Sequence, residues 1–530
     1  VSTTSSDNGQ TWTPLVDIEA TGAALPSPDT NTLSSWVVPY QSGYRAPSAS
    51  FNRVYAIYTW GDPYVTSPPV PRRDTHGPYA FRYTDDGGTT WSGRHIIPYT
   101  NTDKDDSNIF SGATPAGWNV DKPLRLNGKM FFSYTKLSSP FSGGGAQQGE
   151  GYIYRCDNID IEGDPTALDW KMLPGDVNPD GSVDTAAVGI RELSWGGEQE
   201  EFDLQDLTSG ALLLTLRTTQ GWIGEALSID DGQTWTNPVQ RRYQLNGRLV
   251  RHPRANSKVW KLASGKYLMW VHNNGSTSFL NRNPVWVSIG SQAGNAICWG
   301  EPEVLLYHKD KSKRISYPDM MEVGGEMYVS ETEKGISRIH PIDVNFLGIL
   351  ETQASRATKA TADLELEEIG AVSGSYPMPT LPDLSGQAPK GFTLEARFLT
   401  SDLNAGQTVF DTFSGGSGVR MTINVLGAVD FEMSDGTRSV LLRSDTGTVV
   451  AGQSSHVSVH VDAPAKLITM VANGKVCDGT NFNTGTGDRT FGWTHFDDAF
   501  DDVNGGGISV GSGLNGSVDL LRVYGRALMH

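Results

Sequence analysis

The sequence predicts an all-β protein, a β-propeller of seven blades (six is the alternative) followed by a β-sandwich, and three observations predict it. Short apolar runs bounded by Gly, Asn or Asp recur along the chain, as in Val54-Tyr55-Ala56-Ile57-Tyr58, Met130-Phe131-Phe132-Ser133-Tyr134, Leu212-Leu213-Leu214-Thr215-Leu216 and Tyr267-Leu268-Met269-Trp270-Val271. No stretch of helical period longer than two or three turns precedes about residue 355. A short motif repeats three times: Ser5-Ser6-Asp7-Asn8-Gly9-Gln10-Thr11-Trp12, Thr84-Asp85-Asp86-Gly87-Gly88-Thr89-Thr90-Trp91 and Ser228-Ile229-Asp230-Asp231-Gly232-Gln233-Thr234-Trp235.

Each copy reads as a hairpin turn. Asp accepts backbone N–H bonds, Gly supplies a positive φ, Thr adds a local hydroxyl bond and Trp packs the hairpin. Degenerate versions are expected at Asp157–Asp160 running to Trp170 and at Ser291–Gly294 running to Trp299. About 350 residues at roughly 45–50 per blade give the count of seven. The propeller is expected over residues 1–352 and a connecting segment over 353–370. A sandwich follows over 371–530, where Phe392–Phe398, Val457–Val461 and Ile468–Ala472 alternate and the chain closes on Ser517–Tyr524.

Composition bounds the function. With 42 Lys and Arg against 60 Asp and Glu the formal charge is −18, which argues against a nucleic-acid partner. No run approaches the roughly 18 apolar residues of a membrane span. The three cysteines, Cys156, Cys298 and Cys477, are too scattered for a disulfide framework or a zinc site. A polar, Trp-rich composition with sequons at Asn274 and Asn515, and a first residue that is not Met, suggest a processed, secreted chain acting as a monomer.

Dense polar clusters beside apolar strands mark the candidate site. They are Asp74–Tyr79, Asp121-Lys122-Pro123 with Lys136, Gln199-Glu200-Glu201 with Arg217, His272-Asn273-Asn274 with Arg282-Asn283, and Ser316–Asp319 with Glu331-Thr332.

The three repeats are the Asp boxes of the sialidase-like propeller superfamily, which the chain resembles; Tyr44-Arg45-Ala46-Pro47 is similar to a sialidase arginine segment. The resemblance implies that the boxes lie away from the catalytic face. The order of phrases from Asp121-Lys122-Pro123 through Gln148–Gly151, Arg217-Thr218-Thr219, His272-Asn273, Arg282–Trp286 and Ile315–Asp319 to Glu331-Thr332 is closer to the rhamnose–glucuronate lyases. The C-terminal phrases resemble the laminin-G/concanavalin-like jelly roll. This implies an exo-acting lyase that removes L-rhamnose from D-glucuronate on acidic plant polysaccharides such as gum arabic. Such an elimination needs a base for the C5 proton, cations at the carboxylate and an acid for O4.

On that reading His76 is the base, with His252 and His272 as rivals. Arg217 and Tyr317 complete the catalytic set. Lys122, Arg125, Arg217 and Arg282 are candidates for the carboxylate, Trp60 and Trp118 for stacking on the sugar, and Asp74, Tyr79, Lys136, Gln199, Glu200, His272, Asn283 and Glu331 for binding. The first alternative is an exo-sialidase or related hydrolase, with Tyr317 as nucleophile, Glu200 or Glu331 beside it, Asp74 as acid and Arg45, Arg217 and Arg282 as a carboxylate-binding triad. A carbohydrate-binding propeller without catalysis is the second. No cofactor is expected for the chemistry; a structural Ca²⁺ on the propeller axis would be compatible, although no ligand set is identifiable.

Overall fold

A computed structural model describes residues 1–19, 34–61, 73–108, 110–137, 149–175, 189–195, 198–333, 336–355, 359–385, 390–479 and 491–530. The chain is all-β. Its N-terminal part forms five antiparallel sheets among the described residues, opening on the strands Ser34–Gln41, Gly117–Trp118, Gln199–Asp206, Lys258–Lys261 and Ser316–Val323. These first strands converge. Lys258 of the fourth sheet donates to Asp203 of the third at 2.7 Å and to Asp121, beside the second, at 3.2 Å, all three being buried. Neither seven nor six blades is established: successive first strands lie 58 to 83 residues apart, farther than the spacing assumed from sequence.

Strand register fixes two ends for every sheet. In the first sheet Ser34 faces Trp60 and Tyr79 faces Thr59 at one end, while Gln41, Val54 and Thr84 meet at the other. The Asp boxes follow Thr84 and Ser228, so they cap the latter end. The box geometry is as read from sequence. Thr11, Thr90 and Thr234 donate their backbone N–H to Asp7, Asp86 and Asp230, each at 2.9 Å. The Gly9, Gly88 and Gly232 amides meet the Ser5, Thr84 and Ser228 hydroxyls at 2.8–2.9 Å. Positive φ at Gly9, Gly88 and Gly232 makes glycine necessary there. Trp12, in contrast, stays half exposed. The two degenerate turns also join the third and fourth strands of their sheets.

A helix, Val344–Thr352, leads out of the fifth sheet. The strand Leu364–Val372 then pairs with Gly516–Tyr524, so residues 364–370, expected to be connector, are already part of the sandwich. A seven-stranded and a six-stranded sheet pack face to face there, around a core that includes Phe392, Phe398, Phe410, Phe431 and Leu521. The sandwich docks on the propeller: Leu467, Val476 and Trp493 share an apolar cluster with Tyr243, Met269 and Trp286, and the Trp493 indole donates to Asn273 O at 2.8 Å. All three cysteines are free. Asn274 is fully buried, donating to His272 O at 2.9 Å, so its sequon cannot carry a glycan; Asn515 is exposed. No helix among the described residues is long and apolar enough to cross a membrane.

Candidate functional site

The candidate site lies at the end of the sheets opposite the Asp boxes, and a recurring backbone device builds it. Trp36, Glu201 and Tyr317 each have a left-handed φ (58°, 51° and 49°). Each stands in the first strand of its sheet where the register slips by one residue, between Ser35/Val38, Glu200/Phe202 and Ser316/Asp319. A bulge inserts an extra residue and turns its side chain away from the regular alternation. Bulky side chains pay strain for positive φ, and such strain concentrates at functional sites. Three bulges thus aim one indole, one carboxylate and one phenol inward.

Two of these side chains meet. The Tyr317 hydroxyl donates to Glu201 Oε1 at 2.9 Å. Burial and the Glu201 carboxylate together raise the Tyr317 pKa. Arg217 lies behind, pairing with Glu201 at 2.6 Å and with Glu200; Arg254 pairs with Glu200 at 2.8 Å and with Glu198. Burial and the neighbouring Glu200 push Glu198 up to about 7. Glu200 moves the other way. It is buried too, but two guanidinium groups hold it below the usual carboxylate range.

Arg282 differs from its neighbours. It is 6% exposed and donates to Ser316 Oγ at 3.0 Å and Arg254 O at 2.7 Å, and its guanidinium carbon stands 5.7 Å from the centre of the Tyr317 ring. Among the described residues no carboxylate pairs with it. Burial and the nearby Arg217 lower its pKa. A buried guanidinium with no carboxylate in contact is costly, and an anionic ligand would relieve that cost.

A cavity of about 350 Å³ opens beside this group, lined by Trp36, Asn119, Lys122, Lys258, Tyr317 and Asp319 among others. Trp36 stacks on the buried Trp118 with centroids 6.0 Å apart, and its indole donates to Asp74 O at 2.8 Å. Lys122 stands on the exposed rim, 3.3 Å from Asp319. Asn119 Nδ2 is buried without a hydrogen-bond partner among the described residues. A larger cavity, about 480 Å³, lies against the sandwich and the Val344–Thr352 helix. Its charged groups are paired internally, Arg522 with Glu367 at 2.8 Å and with Glu395 at 3.0 Å, which makes it a structural seam.

The structure therefore brings together Arg217, Arg282, Tyr317 and Glu200, with Lys122, Trp118 and Asp74 at the margin. The other expected residues have different places. His76 is 2% exposed, edge-on to Phe110 at 5.1 Å, and does not line the cavity. Tyr79 belongs to an aromatic core with Phe132, Tyr134 and Tyr154. Trp60 packs under Arg94, 4.1 Å from its centroid. Lys136 is fully buried on Asp105 at 2.6 Å, between the rings of Tyr99 and Tyr152. Gln199 bonds both backbone groups of Glu192. Glu331 pairs across strands with Arg338 at 3.0 Å, which leaves Glu201 as the carboxylate partner of Tyr317.

Arg125 and Arg45 are misplaced for any carboxylate-binding role. Arg125 pairs with Asp160 at 2.9 Å and Tyr40 at 3.1 Å and does not line the cavity. Arg45 donates to Ala49 O at 2.8 Å in the loop 42–53, at the Asp-box end of the first sheet. His252 and His272 are buried and stacked 5.4 Å apart. Burial lowers both, His272 to about 3, so neither is charged near neutrality. Asn283 is spent on His308 O at 2.6 Å and Asp310 O at 3.1 Å. No group of three or more His, Cys, Asp or Glu suited to a metal exists among the described residues.

Comparisons add the following. No curated protein matches the chain. Among solved structures it is similar to the Trypanosoma rangeli sialidase in complex with the inhibitor DANA, at 12% identity over 94% of this chain and 92% of that one, with a TM-score of 0.34. It is similar to the intramolecular trans-sialidase from Ruminococcus gnavus at 13% identity, over 65% and 87% of the two chains, with a TM-score of 0.39. A protein of unknown function from Dyadobacter fermentans aligns at 14% identity over 63% and 80%, with a TM-score of 0.42. Residues 373–530, within the C-terminal sandwich, match the family model of the Concanavalin A-like lectin/glucanases superfamily.

Proposed function

We propose that this protein is an exo-acting enzyme on glycans that end in a carboxylated sugar, with Arg282 receiving the carboxylate and Tyr317 acting at the reacting carbon. The observation that carries this reading is the Tyr317–Glu201 hydrogen bond of 2.9 Å beside a buried arginine lacking a carboxylate partner. In the first form of the reaction, Glu201 takes the phenolic proton as Tyr317 oxygen bonds to the anomeric carbon. The glycosidic bond breaks, and its oxygen leaves with a proton from a neutral carboxylic acid. Glu198, held protonated towards neutrality, is the acid of this cluster, and Asp74 is the second candidate. Water then attacks the anomeric carbon, giving its proton to the ionised acid, and Glu201 returns its proton to the phenol oxygen as the tyrosyl–sugar bond breaks. A Tyr nucleophile suits an anionic sugar, which would repel a carboxylate nucleophile.

A second reading is the rhamnose–glucuronate lyase. One observation favours it: Arg45 lies at the opposite end of its sheet and Arg217 and Arg254 are paired with glutamates, which leaves Arg282 for a carboxylate, and elimination needs only one cation at the uronate carboxylate. Here Tyr317 passes its proton to Glu201 as its oxygen takes the C5 proton, the phenol then protonates the departing O4, and Glu201 returns its proton to the phenol oxygen. His76 has no part in this version.

Incubation with sialyllactose and, separately, with gum arabic distinguishes the two. Free sialic acid supports the hydrolase. Rhamnose released together with the ultraviolet absorbance of a conjugated uronate supports the lyase, and rhamnose without that absorbance places hydrolysis on the uronate-linked substrate. No product from either substrate contradicts the proposal.

A further inference from the structure

One surface loop opposes the charge of the rest of the chain. Residues 307–314 read Tyr-His-Lys-Asp-Lys-Ser-Lys-Arg, four cations against one carboxylate in a molecule of formal charge −18. Lys309 and Lys311 are exposed. Arg314 is partly exposed, its guanidinium carbon 5.7 Å from the centre of the Phe279 ring. The one acid of the loop, Asp310, is engaged locally, accepting from the Ser312 amide at 2.9 Å and the Ser312 hydroxyl at 2.7 Å. Among the described residues no carboxylate pairs with Lys309, Lys311 or Arg314.

The loop is braced beside the catalytic group. Asn283 Nδ2 donates to His308 O at 2.6 Å and to Asp310 O at 3.1 Å, and the His308 amide donates to Asn283 Oδ1 at 3.0 Å. The Ile315 amide donates to Arg282 O at 3.1 Å, and the chain then enters the strand Ser316–Val323 that carries Tyr317. The cations are thus fixed at the Tyr317 end of the sheets, next to the segment that holds Arg282. An acidic molecule repels a polyanion, but screening over about 8 Å leaves nearby charge in control. Unneutralised cations at the mouth of a site create a local field that steers and holds an anionic chain.

We propose that the 307–314 loop is a docking surface for the non-reacting part of a polysaccharide that carries carboxylates along its length. The choice of carboxylate over sulfate or phosphate rests on the function proposed above; polymer binding is measured without turnover. The test is binding of the full chain to immobilised polygalacturonate and to colominic acid, a polymer of sialic acid, with dextran and dextran sulfate as controls. At least one carboxylated polymer binds in about 50 mM salt, and its affinity falls about tenfold by about 300 mM. The double variant Lys309→Glu/Lys311→Glu loses about tenfold or more at low salt, whereas Lys390→Glu/Lys475→Glu, exposed on the sandwich, stays within about twofold. Melting curves accompany each variant; if the first double variant is unfolded, Lys311→Ala decides, with a loss of about threefold. Failure of both carboxylated polymers to bind, binding of dextran sulfate alone, equal binding of dextran, or unchanged binding in the first double variant overturns the proposal. Polymer binding without turnover of sialyllactose or gum arabic counts against the function proposed above and leaves the docking surface standing. Turnover without polymer binding does the reverse.

Discussion

At the scale of single residues, charge pairing decides which side chains can act. Arg217 and Arg254 are already neutralised by Glu200 and Glu201, while Arg282, bonded to Ser316 and a carbonyl, pairs with no carboxylate among the described residues. Arg282→Ala should raise KM for an anionic substrate by about ten- to a hundredfold, as expected for losing a charge-assisted contact, and Arg282→Lys should recover part of it. Steady-state kinetics on both variants checks this. Glu198 ionises near pH 7 and adds negative charge beside Glu200, so KM for an anionic sugar should climb as pH rises through 7. Glu198→Gln should flatten that limb of the KM–pH profile. His76→Phe, buried against Phe110, should lower the melting temperature and leave kcat within a few-fold. Arg217, Arg282, Tyr317 and Glu200 were legible because each stands in a polar cluster beside an apolar strand. Glu201 was masked by its neighbour Glu200, since only the one-residue register slip decides which of the two meets the phenol. Lys136, Tyr79 and Arg125 show the converse: a strand end rich in polar or aromatic residues can equally be a structural clamp.

At the scale of elements, the Asp boxes and the bulged strands divide the work. The boxes lock the outer hairpins, and the bulges aim Trp36, Glu201 and Tyr317 at the centre. Asp86 accepts from both the amide and the hydroxyl of Thr90 and from the Thr84 hydroxyl. Asp86→Ala should therefore cost stability, on the order of 1–3 kcal/mol by denaturant titration, with kcat unchanged because the turn is at the far end of the sheet. Hydrogen bonds hold the Asp86 and Asp230 carboxylates low in spite of some burial, and bonds to Thr11 bring Asp7 to about 2. A depressed carboxylate stabilises the fold above its unfolded pKa, and that contribution fades as pH falls through the folded value. Acid unfolding should accordingly set in between about pH 4 and pH 2. The strands, the boxes and the sandwich were readable from apolar runs and turn residues. The bulges were not, because register slips depend on partners distant in sequence.

At the scale of the whole molecule, the propeller and the sandwich share buried charge as well as apolar surface. Arg248 of the propeller reaches Asp478 of the sandwich at 2.6 Å, Val476 O at 2.9 Å and its own neighbour Glu301. Against the cost of burial, Tyr243, Glu301 and Asp478 keep Arg248 charged, and Glu301 alone can neutralise it. Burial, only partly offset by Arg248, and the nearby Asp445 push Asp478 up to about 7. A raised carboxyl stabilises the folded state below its unfolded pKa, near 4, and that contribution is lost as pH rises through 7. Melting temperature should thus decline between pH 4 and pH 7, and Asp478→Asn should flatten the decline. This docking was not visible in the sequence, where Arg248 and Asp478 lie in different domains 230 residues apart. The same docked assembly is the right material for the test of the central claim, that Tyr317 and Glu201 form one catalytic unit. On whichever of sialyllactose or gum arabic is turned over, kcat should be measured for Tyr317→Phe, Glu201→Gln and the double variant. Each single variant should lose about 10²-fold or more with melting temperature nearly unchanged, and the double variant should lose little beyond the worse single one. Turnover by Tyr317→Phe within a few-fold of the unaltered chain would contradict the account.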